Sequence, residues 1–250
     1  MILLYILGGL LGMVLLYLLV IAVCALLVDP EKEYKKDNRG YRFLLNLTVT
    51  VGLKLLRVRV HVSGIEKIPK DTQVLFVSNH RSNFDPIVTW YGLKAWKIGF
   101  ISKPENFKIP FYGRIIRKCC CLPIDRENPR KAIVTINRAA KLLKKQEVSI
   151  GVYPEGTRSK AREMLPFHNG AFKIAQKADA PIVVLSIAGT EKIAKRTPFK
   201  PTDVYLDVLE VFPSENIQGI KTETIGMLAR HLIAMSIKRE ITYGNWTCDL

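Results

Sequence analysis

Two residues whose types and spacing could do chemistry are His80 and Asp85, which follow the apolar run VLFVSN at residues 74–79. In an α-helix, side chains five residues apart are separated by about 140° around the axis, so this pair could not meet on one helix face. Pro86 changes the geometry, because a residue before proline is biased away from helical dihedrals and Asp-Pro is typical of a helix start. A turn between the strand and that helix would fold the Asp85 carboxylate back onto the His80 ring. A histidine oriented in this way can act as a general base.

The same pair also has an ordinary interpretation, in which His80 lies on the surface and Asp85 only caps the following helix. For an isolated His-x4-Asp pattern, the ordinary interpretation is favoured. The sequence around this pair alone therefore does not establish a catalytic site, and a second cluster is needed to decide between the two.

That second cluster is the segment GVYPEGTRS at residues 151–159, which again ends an apolar run. Pro154 to Gly156 predict a tight turn that presents Glu155, Thr157 and Arg158 from a loop. An arginine in such a loop suits two-pronged recognition of a phosphate, and Gly156 permits close approach of the backbone. Two loops with complementary chemistry favour a functional site over two unrelated polar turns.

The elements that must position these loops alternate along the chain. Short apolar runs rich in valine and isoleucine predict strands at 58–63, 74–79, 97–102, 120–125, 148–153, 182–187 and 203–212. Helical segments are predicted at 129–146, 167–179 and 220–240. This alternation predicts an α/β fold with a single, mostly parallel sheet flanked by helices, in which ligands bind at the carboxyl ends of strands.

The chain begins with an uncharged apolar segment, residues 1–28. As a helix it would extend about 42 Å, more than the roughly 30 Å of a hydrocarbon core. A cleaved signal peptide is the alternative, but no basic n-region precedes the run and the run is too long for an h-region. Residues 41–58 are apolar with basic ends, which predicts an interfacial helix. We therefore expect a membrane-associating helical module over 1–58 and an α/β domain over 59–250; whether the first segment spans the bilayer or enters one leaflet stays open.

The charge distribution indicates orientation and partners. The formal net charge of +16 predicts an anionic partner: nucleic acid, a lipid surface or a phosphorylated substrate. Basic residues just after the apolar segment predict a cell-membrane protein in which the chain after residue 30 faces the cytoplasm. Basic clusters at 32–42, 54–59 and 192–200 could bind anionic lipid or another anionic partner, or could be solvated faces. No basic stretch interleaved with exposed aromatic residues argues for nucleic acid.

The five cysteines are Cys24, the consecutive Cys119–Cys121 and Cys248. They form no Cys-x2-Cys pair and no Cys/His ligand spacing, so the sequence supports neither a metal site nor a disulfide framework. We interpret the consecutive cysteines as small core residues.

The motifs NHRSNFDP (79–86) and YPEGTRS (153–159), in this order and spacing, resemble the glycerophospholipid acyltransferase family, specifically the 1-acylglycerol-3-phosphate acyltransferases. The resemblance covers residues from about 58 to 212 and includes ISKPENFKIPFYGRIIRKCCCLPIDR and APIVVLSIAG. The apolar N-terminal segment is similar to the membrane-dipping helices of bacterial members. One departure is His168 in LPFHNGAF, where a lysine is expected; this puts a substrate role for that position in doubt, and we interpret His168 as structural.

The resemblance implies the glycerolipid acyltransferase fold and transfer of a fatty acyl group from a thioester to the sn-2 hydroxyl of 1-acyl-sn-glycerol 3-phosphate, forming phosphatidic acid. His80 would be the general base and Asp85 would orient it. The basic residues that would hold the acceptor phosphate are Lys103, Arg126 and Arg158. In the second loop, Glu155 would bond the glycerol or brace the loop, and Gly156 and Thr157 would lie near substrate. The absence of a Gly-x-Ser-x-Gly motif agrees with direct transfer without an acyl-enzyme.

No tightly bound cofactor is implied; the donor would be an acyl thioester of acyl carrier protein or coenzyme A, and the sequence does not say which. Three other functions are also considered. These are an acyltransferase of the same family with another acceptor (glycerol 3-phosphate, another lysophospholipid or a lyso-aminolipid), a non-catalytic lipid-binding relative, and a membrane-anchored nucleic-acid binder. Acyl-chain preference and oligomeric state are not readable from the residues.

Overall fold

A computed structural model describes residues 1–159 and 164–244 of the chain. Within these residues a single seven-stranded sheet forms the centre of the molecule. Its strands are β1 (Val58–Ser63), β2 (Leu75–Ser78), β3 (Gly99–Ser102), β4 (Leu122–Pro123), β5 (Ile150–Val152), β6 (Ile182–Ala188) and β7 (Thr202–Phe212). Each strand lies within or close to one of the predicted apolar runs.

The spatial order of the strands is β1-β7-β6-β2-β5-β3-β4. Neighbouring strands are parallel except β6 and β7, which pair antiparallel. The predicted α/β fold with a mostly parallel sheet is confirmed. The reversal of β7 has a consequence for the site: the connection from β6 to β7 begins and ends at the edge of the sheet where β2 and β5 also end.

Helices cover both faces of the sheet. They are α1 (Ile2–Leu26), α2 (Arg39–Leu55), α3 (Asp85–Gly92), α4 (Tyr112–Lys118), α5 (Pro129–Lys144), α6 (Lys173–Ala178), α7 (Ile193–Arg196), α8 (Ser214–Ile217) and α9 (Thr222–Gly244). Shorter 3₁₀ turns occupy Ile65–Lys67, Lys94–Trp96, Pro104–Lys108, Asn169–Phe172 and Thr190–Lys192. Helix α5 begins at Pro129 as predicted, where the Asn128 side chain accepts a hydrogen bond from the Lys131 amide.

Alternating side chains of the strands supply two apolar cores, one on each face. Phe76 of β2 packs on the face that carries α2, α3 and α4, whereas its neighbours Leu75 and Val77 pack on the face that carries α5, α6 and α9. Because the central strands are buried on both faces, their sequences are continuous apolar runs rather than alternating ones.

The first two helices form an antiparallel hairpin. The Tyr17 hydroxyl is hydrogen bonded to Thr48, and the Tyr41 hydroxyl donates to the Cys24 carbonyl at 2.8 Å. Helix α1 is almost wholly exposed, and its length and apolar composition over Leu4–Leu26 are sufficient to cross a bilayer. Helix α2, in contrast, buries one side against the domain.

The position of Arg42 corrects the sequence-based interpretation of α2. We predicted a basic residue at the membrane interface, but Arg42 is buried and pairs with Asp37 at 2.7 Å. Its guanidinium also donates to the carbonyls of Ile98 and Cys119, both at 3.2 Å, and lies over the Trp90 ring. An arginine can be buried here because its donors find acceptors in the domain.

The cysteines that the structure describes are free thiols, and Cys248 lies outside the described residues. Cys119, Cys120 and Cys121 are buried as predicted. Burial raises the pKa of Cys120 to about 12 and that of Cys121 to about 11. These thiols are therefore protonated at neutral pH and serve as packing residues.

Candidate active site

His80 and Asp85 meet as predicted at the carboxyl end of β2. The His80 Nδ1 atom lies 2.8 Å from Asp85 Oδ2. The His80 side chain is 17 % exposed, whereas that of Asp85 is completely buried. Because an ionised carboxylate can only accept, Nδ1 carries the proton of this bond and Nε2 is left as the basic nitrogen. The accessible imidazole is thus oriented by an inaccessible carboxylate.

The Asp85 carboxylate does not cap its helix, which rules out the ordinary interpretation of the pair. Asp85 is the first residue of α3, and its Oδ2 accepts from the backbone amides of Arg81 and Ser82, at 2.7 and 2.8 Å. The carboxylate is turned back into the preceding loop, where it fixes the turn that joins β2 to α3. Its negative charge is stabilised by these amides rather than by the start of the helix.

Thr190 completes the set of donors to Asp85 and was not found from the sequence. It lies in the 3₁₀ turn after β6 and is buried, and its hydroxyl donates to Asp85 Oδ1. The residues are 105 positions apart in the chain. Nothing local marks this threonine; only the pairing of β2 with β6 brings it to the site.

Asn79, the other polar residue at the end of β2, is structural. Its side chain both donates to the Ile187 carbonyl and accepts from the Ile187 amide, each at 2.9 Å. It thereby continues the pairing of β2 and β6 by one residue beyond the strand. This fixes the register of β6 against β2, which places Thr190 beside Asp85.

Tyr153, at the carboxyl end of β5, supports the other side of the imidazole. The rings of His80 and Tyr153 are stacked with centroids 4.6 Å apart, and the Tyr153 hydroxyl is 3.1 Å from Thr89 Oγ1. Burial raises the pKa of Tyr153, so the phenol is neutral. Its stacking holds the plane of the His80 ring.

Glu155 braces the two motif loops against each other. It is buried, its Oε1 accepts from the His80 amide at 2.7 Å, and its Oε2 accepts from the Leu165 amide at 2.9 Å. Burial raises the pKa of Glu155, while these two amides oppose the shift. A second backbone bond, from the Ser159 amide to the His80 carbonyl at 2.8 Å, joins the same loops. Of the two roles considered for Glu155, the geometry favours bracing.

The three basic residues predicted to hold phosphate, Lys103, Arg126 and Arg158, line one cavity of about 680 Å³ together with His80. Burial lowers the pKa of Arg126, but a guanidinium stays charged throughout the physiological range. Arg158 lies in the second loop next to Thr157, and both residues are exposed. The structure thus places all three cations in the wall of the cavity that His80 also lines.

A second cavity, of about 590 Å³, adjoins the first and shares Lys103 and Arg126 with it. Glu155, Gly156 and Thr157 contribute to its wall, and so does His168. Gly156 has a positive φ of +75°, and a Cβ there would lie 2.7 to 2.8 Å from the His168 ring. The positive φ favours glycine here, and any larger residue would also require the His168 ring to move. We interpreted His168 as structural from sequence; the structure places its ring in the wall of the phosphate-side cavity.

The remainder of the larger cavity is mainly apolar, with Thr48, Asn83, Ser102 and Asn106 as further polar lining residues. Helices α2 and α4, the start of α3 and strand β3 enclose it. Its apolar and aromatic lining includes Leu45, Val49, Leu53, Ile87, Trp90, Phe100, Ile116 and Cys121. A cavity with cations and an imidazole at one end and hydrocarbon along its length fits an amphiphile with an anionic headgroup.

Comparisons with known proteins agree with this site. A family model described as Acyltransferase matches residues 59–188, just over half of the chain, and includes both motif loops. The 1-acyl-sn-glycerol-3-phosphate acyltransferase LPAT1, chloroplastic, of Arabidopsis thaliana is 34 % identical over 170 residues, which cover 67 % of this chain and 45 % of that protein. The 1-acyl-sn-glycerol-3-phosphate acyltransferase of Salmonella typhimurium is 30 % identical over 161 residues, 64 % of each chain. This chain thus spans about half to two thirds of the length of these relatives.

A solved structure extends the similarity over nearly the whole fold. The crystal structure of the 1-acyl-sn-glycerophosphate (LPA) acyltransferase, PlsC, from Thermotoga maritima aligns with a TM-score of 0.68 at 25 % identity. The alignment covers 90 % of this chain and 88 % of that one. With its fold, its paired motif loops and the family match in agreement, the chain belongs to the acyltransferase family.

Proposed function

We propose that this protein transfers a fatty acyl group from a thioester to the sn-2 hydroxyl of 1-acyl-sn-glycerol 3-phosphate, which gives phosphatidic acid. The observation that carries the proposal is the accessible His80, oriented by buried Asp85, in the wall of a cavity that is lined by three cations and by many apolar side chains. The names of the relatives support the same substrate.

In the proposed step, His80 Nε2 accepts the proton of the acceptor hydroxyl while that oxygen attacks the thioester carbonyl carbon. The carbon–sulfur bond then breaks, and the thiolate leaves with the proton returned by the imidazolium. Asp85 stabilises the imidazolium through Nδ1. The acyl chain becomes esterified directly, and the side chains of the enzyme are unchanged at the end of the cycle.

The cations have a separate role. Lys103, Arg126 and Arg158 neutralise the acceptor phosphate and so place its glycerol hydroxyl near His80. The apolar cavity accepts an acyl chain. We propose that the donor is an acyl thioester of acyl carrier protein or coenzyme A and that no tightly bound cofactor takes part.

We further propose that the protein is attached to the cell membrane through α1 and the exposed side of α2, with the catalytic domain on the cytoplasmic face. An interfacial position suits the chemistry, because the acceptor keeps its tail in the bilayer and its hydroxyl near the headgroups. The support is the exposed apolar surface of α1 and the basic residues that follow it.

The test uses purified protein in vesicles with a panel of acceptors and both donor classes. His80→Ala and Asp85→Asn should each lower kcat for transfer to lysophosphatidate by about 10²- to 10⁴-fold with folding intact. A matched control is the surface pair His61 and Asp203, joined at 2.9 Å away from the cavities; His61→Ala should leave kcat unchanged. Transfer to another acceptor but none to lysophosphatidate would overturn the substrate assignment, and near wild-type rates in both His80 and Asp85 variants would overturn the catalytic one.

A further inference from the structure

One surface that the reaction does not use is the connection from β6 to β7. Its residues 192–200, KIAKRTPFK, are called here the basic-aromatic loop. Four exposed cations, Lys192, Lys195, Arg196 and Lys200, lie in this loop, which has no acidic residue. Among them the side chain of Phe199 is 85 % exposed. Single exposed apolar residues are common on protein surfaces, so its surroundings must decide whether it matters.

The loop is fixed to the end of helix α2. The Arg57 guanidinium donates to the Phe199 carbonyl at 3.0 Å, and the Thr202 amide donates to the Arg57 carbonyl at 3.1 Å. The Thr197 hydroxyl is 3.4 Å from the Leu56 carbonyl. These contacts place the exposed Lys54 and Arg57 beside the loop, so two basic clusters that are far apart in sequence form one surface.

The same contacts join the loop to an apolar stripe on α2. Phe43, Leu47, Val51 and Leu55 recur every four residues, and all four are exposed. This spacing puts them on one side of the helix, opposite its buried side. The stripe ends at Leu55, which is 73 % exposed and adjoins the residues that hold the loop. Phe199 therefore extends an apolar surface that already begins on α2.

We propose that the basic-aromatic loop, together with Lys54 and Arg57, is a lipid-docking surface that binds anionic headgroups and inserts Phe199 at the boundary of headgroups and acyl chains. An aromatic ring surrounded by cations and continuous with an apolar helix side fits an anionic bilayer better than an acidic protein, which would leave Phe199 and the stripe exposed. The inference rests on the membrane attachment included in the proposed function.

This docking would set the depth of the active site. The connection between β6 and β7 contains both Phe199 and Thr190, and the Thr190 hydroxyl donates a hydrogen bond to Asp85. One short segment therefore touches both the catalytic pair and the bilayer. Lipid bound at its far end holds the catalytic edge of the sheet at headgroup level, where the acceptor hydroxyl lies.

The experiment places a tryptophan in the loop of the full-length chain. Phe199→Trp protein is reconstituted into vesicles of phosphatidylcholine and phosphatidylglycerol, with and without lipids brominated near the headgroup end of their acyl chains. The chain already contains Trp90 and Trp96, which are buried in the domain, and Trp246, which lies outside the described residues, so wild-type protein supplies the background signal. We expect the added tryptophan to lose fluorescence to brominated lipid. Met227→Trp, at an exposed site of α9 on the opposite face, should show no added loss.

A second variant tests the charges. Lys195→Gln, Arg196→Gln and Lys200→Gln are combined in the Phe199→Trp background. Each cation near an anionic surface contributes about fivefold to the affinity. Removing three of them should weaken docking of the loop about 100-fold, so quenching should be lost. Vesicles of phosphatidylcholine alone should give the same loss without the substitutions.

The outcomes separate this inference from the proposed function. Absence of quenching in Phe199→Trp protein that transfers acyl groups at the wild-type rate would overturn the docking surface and leave the function intact. A charge variant that keeps full quenching but raises KM for acyl carrier protein thioester would also overturn it, since the loop would then bind the carrier. Loss of transfer in His80→Ala with quenching retained would support both.

Discussion

At the scale of single residues, the Asp85 carboxylate is the most connected group of the site. Oδ2 accepts hydrogen bonds from His80 Nδ1 and from the amides of Arg81 and Ser82, and Oδ1 accepts one from the Thr190 hydroxyl. A buried carboxylate is stable only when such donors surround it. Its orienting effect on His80 therefore depends on residues outside the pair itself.

Thr190 gives the first prediction. Thr190→Val keeps the shape of the side chain but removes the donor to Asp85, so we expect the free energy of unfolding to fall by about 1.5–3 kcal/mol, the range for bonds to charged groups. As a positioning residue it should lower kcat about tenfold with little change in KM. Urea unfolding and steady-state kinetics measure the two effects. Thr190→Ser keeps the hydroxyl and should retain most of the stability and most of kcat. A serine variant as impaired as the valine variant would contradict the positioning role of the hydroxyl.

Glu155 gives a prediction about pH. Because burial raises the pKa of Glu155, the folded chain holds a proton that the unfolded chain releases between the ordinary pKa of about 4.3 and the raised value. The contribution of Glu155 to stability is therefore complete below this window and declines as the pH rises through it. Glutamine does not titrate, so the unfolding free energy of wild type minus that of Glu155→Gln should decrease across the window in urea titrations. A difference that increases with pH would reverse the sign and refute the shift.

At the scale of elements, the docking of helix α2 shapes the apolar cavity. Leu45, Val49 and Leu53 of α2 form part of its wall, and the buried pair of Arg42 and Asp37 fixes the helix to the domain. The geometry of the apolar cavity thus depends on an ion pair outside it.

Arg42→Leu should therefore have a large effect. It leaves Asp37 buried without its partner, and we expect a loss of about 3–5 kcal/mol in the free energy of unfolding. It should also change the acyl-chain length profile, because α2 is released from the wall. The exposed pair of Arg138 and Glu33, at 3.1 Å, is the control, and Arg138→Leu should cost about 1 kcal/mol or less. Equal losses in the two variants would contradict the assigned importance of Arg42.

The elements also show what could be predicted from sequence. Strand β1 occupies the predicted residues 58–63, and α5 begins at the predicted Pro129, because apolar periodicity and proline act locally. The direction of β7 could not be predicted, since its run of apolar residues reads the same in a parallel and an antiparallel strand. The burial of Arg42 was missed for a similar reason: its partners Ile98 and Cys119 come from distant segments.

In the site, too, local contacts could be predicted from sequence and long-range contacts could not. The bond between His80 and Asp85 spans five residues and followed from the turn that Pro86 requires. The supports of that pair come from other strands: Tyr153 from β5 and Thr190 from the turn after β6. Without the strand order, no pattern distinguishes Thr190 from other buried threonines. The departure from the expected lysine at His168 put a substrate role in doubt, and the sequence alone could not place its ring beside Gly156 in the wall of the second cavity.

At the scale of the whole molecule, the proposed attachment to a bilayer would combine an apolar helix with a surface of high positive charge. The net charge of +16 would favour anionic membranes, while α1 would supply binding that salt does not screen. The two contributions can be separated by shortening α1 while its contact between Tyr17 and Thr48 is kept.

A chain that lacks residues 2–16 should bind phosphatidylglycerol vesicles at about 0.1 M salt but dissociate at about 1 M, where the screening length falls from about 10 to about 3 Å. The full-length chain should stay bound at both. Co-sedimentation with vesicles measures the bound fraction. If the shortened chain resisted high salt as the full chain does, its attachment would not be electrostatic.

The strand order also determines when catalysis can begin during folding. His80 and Asp85 lie close in sequence. Their supports do not, because Glu155 is 75 positions from His80 and Thr190 is 105 positions from Asp85. The turn over residues 80–85 is local in sequence, but it acquires its supports only when β5 and β6 are paired with β2. We therefore expect activity to appear during refolding together with the native topology and not before it.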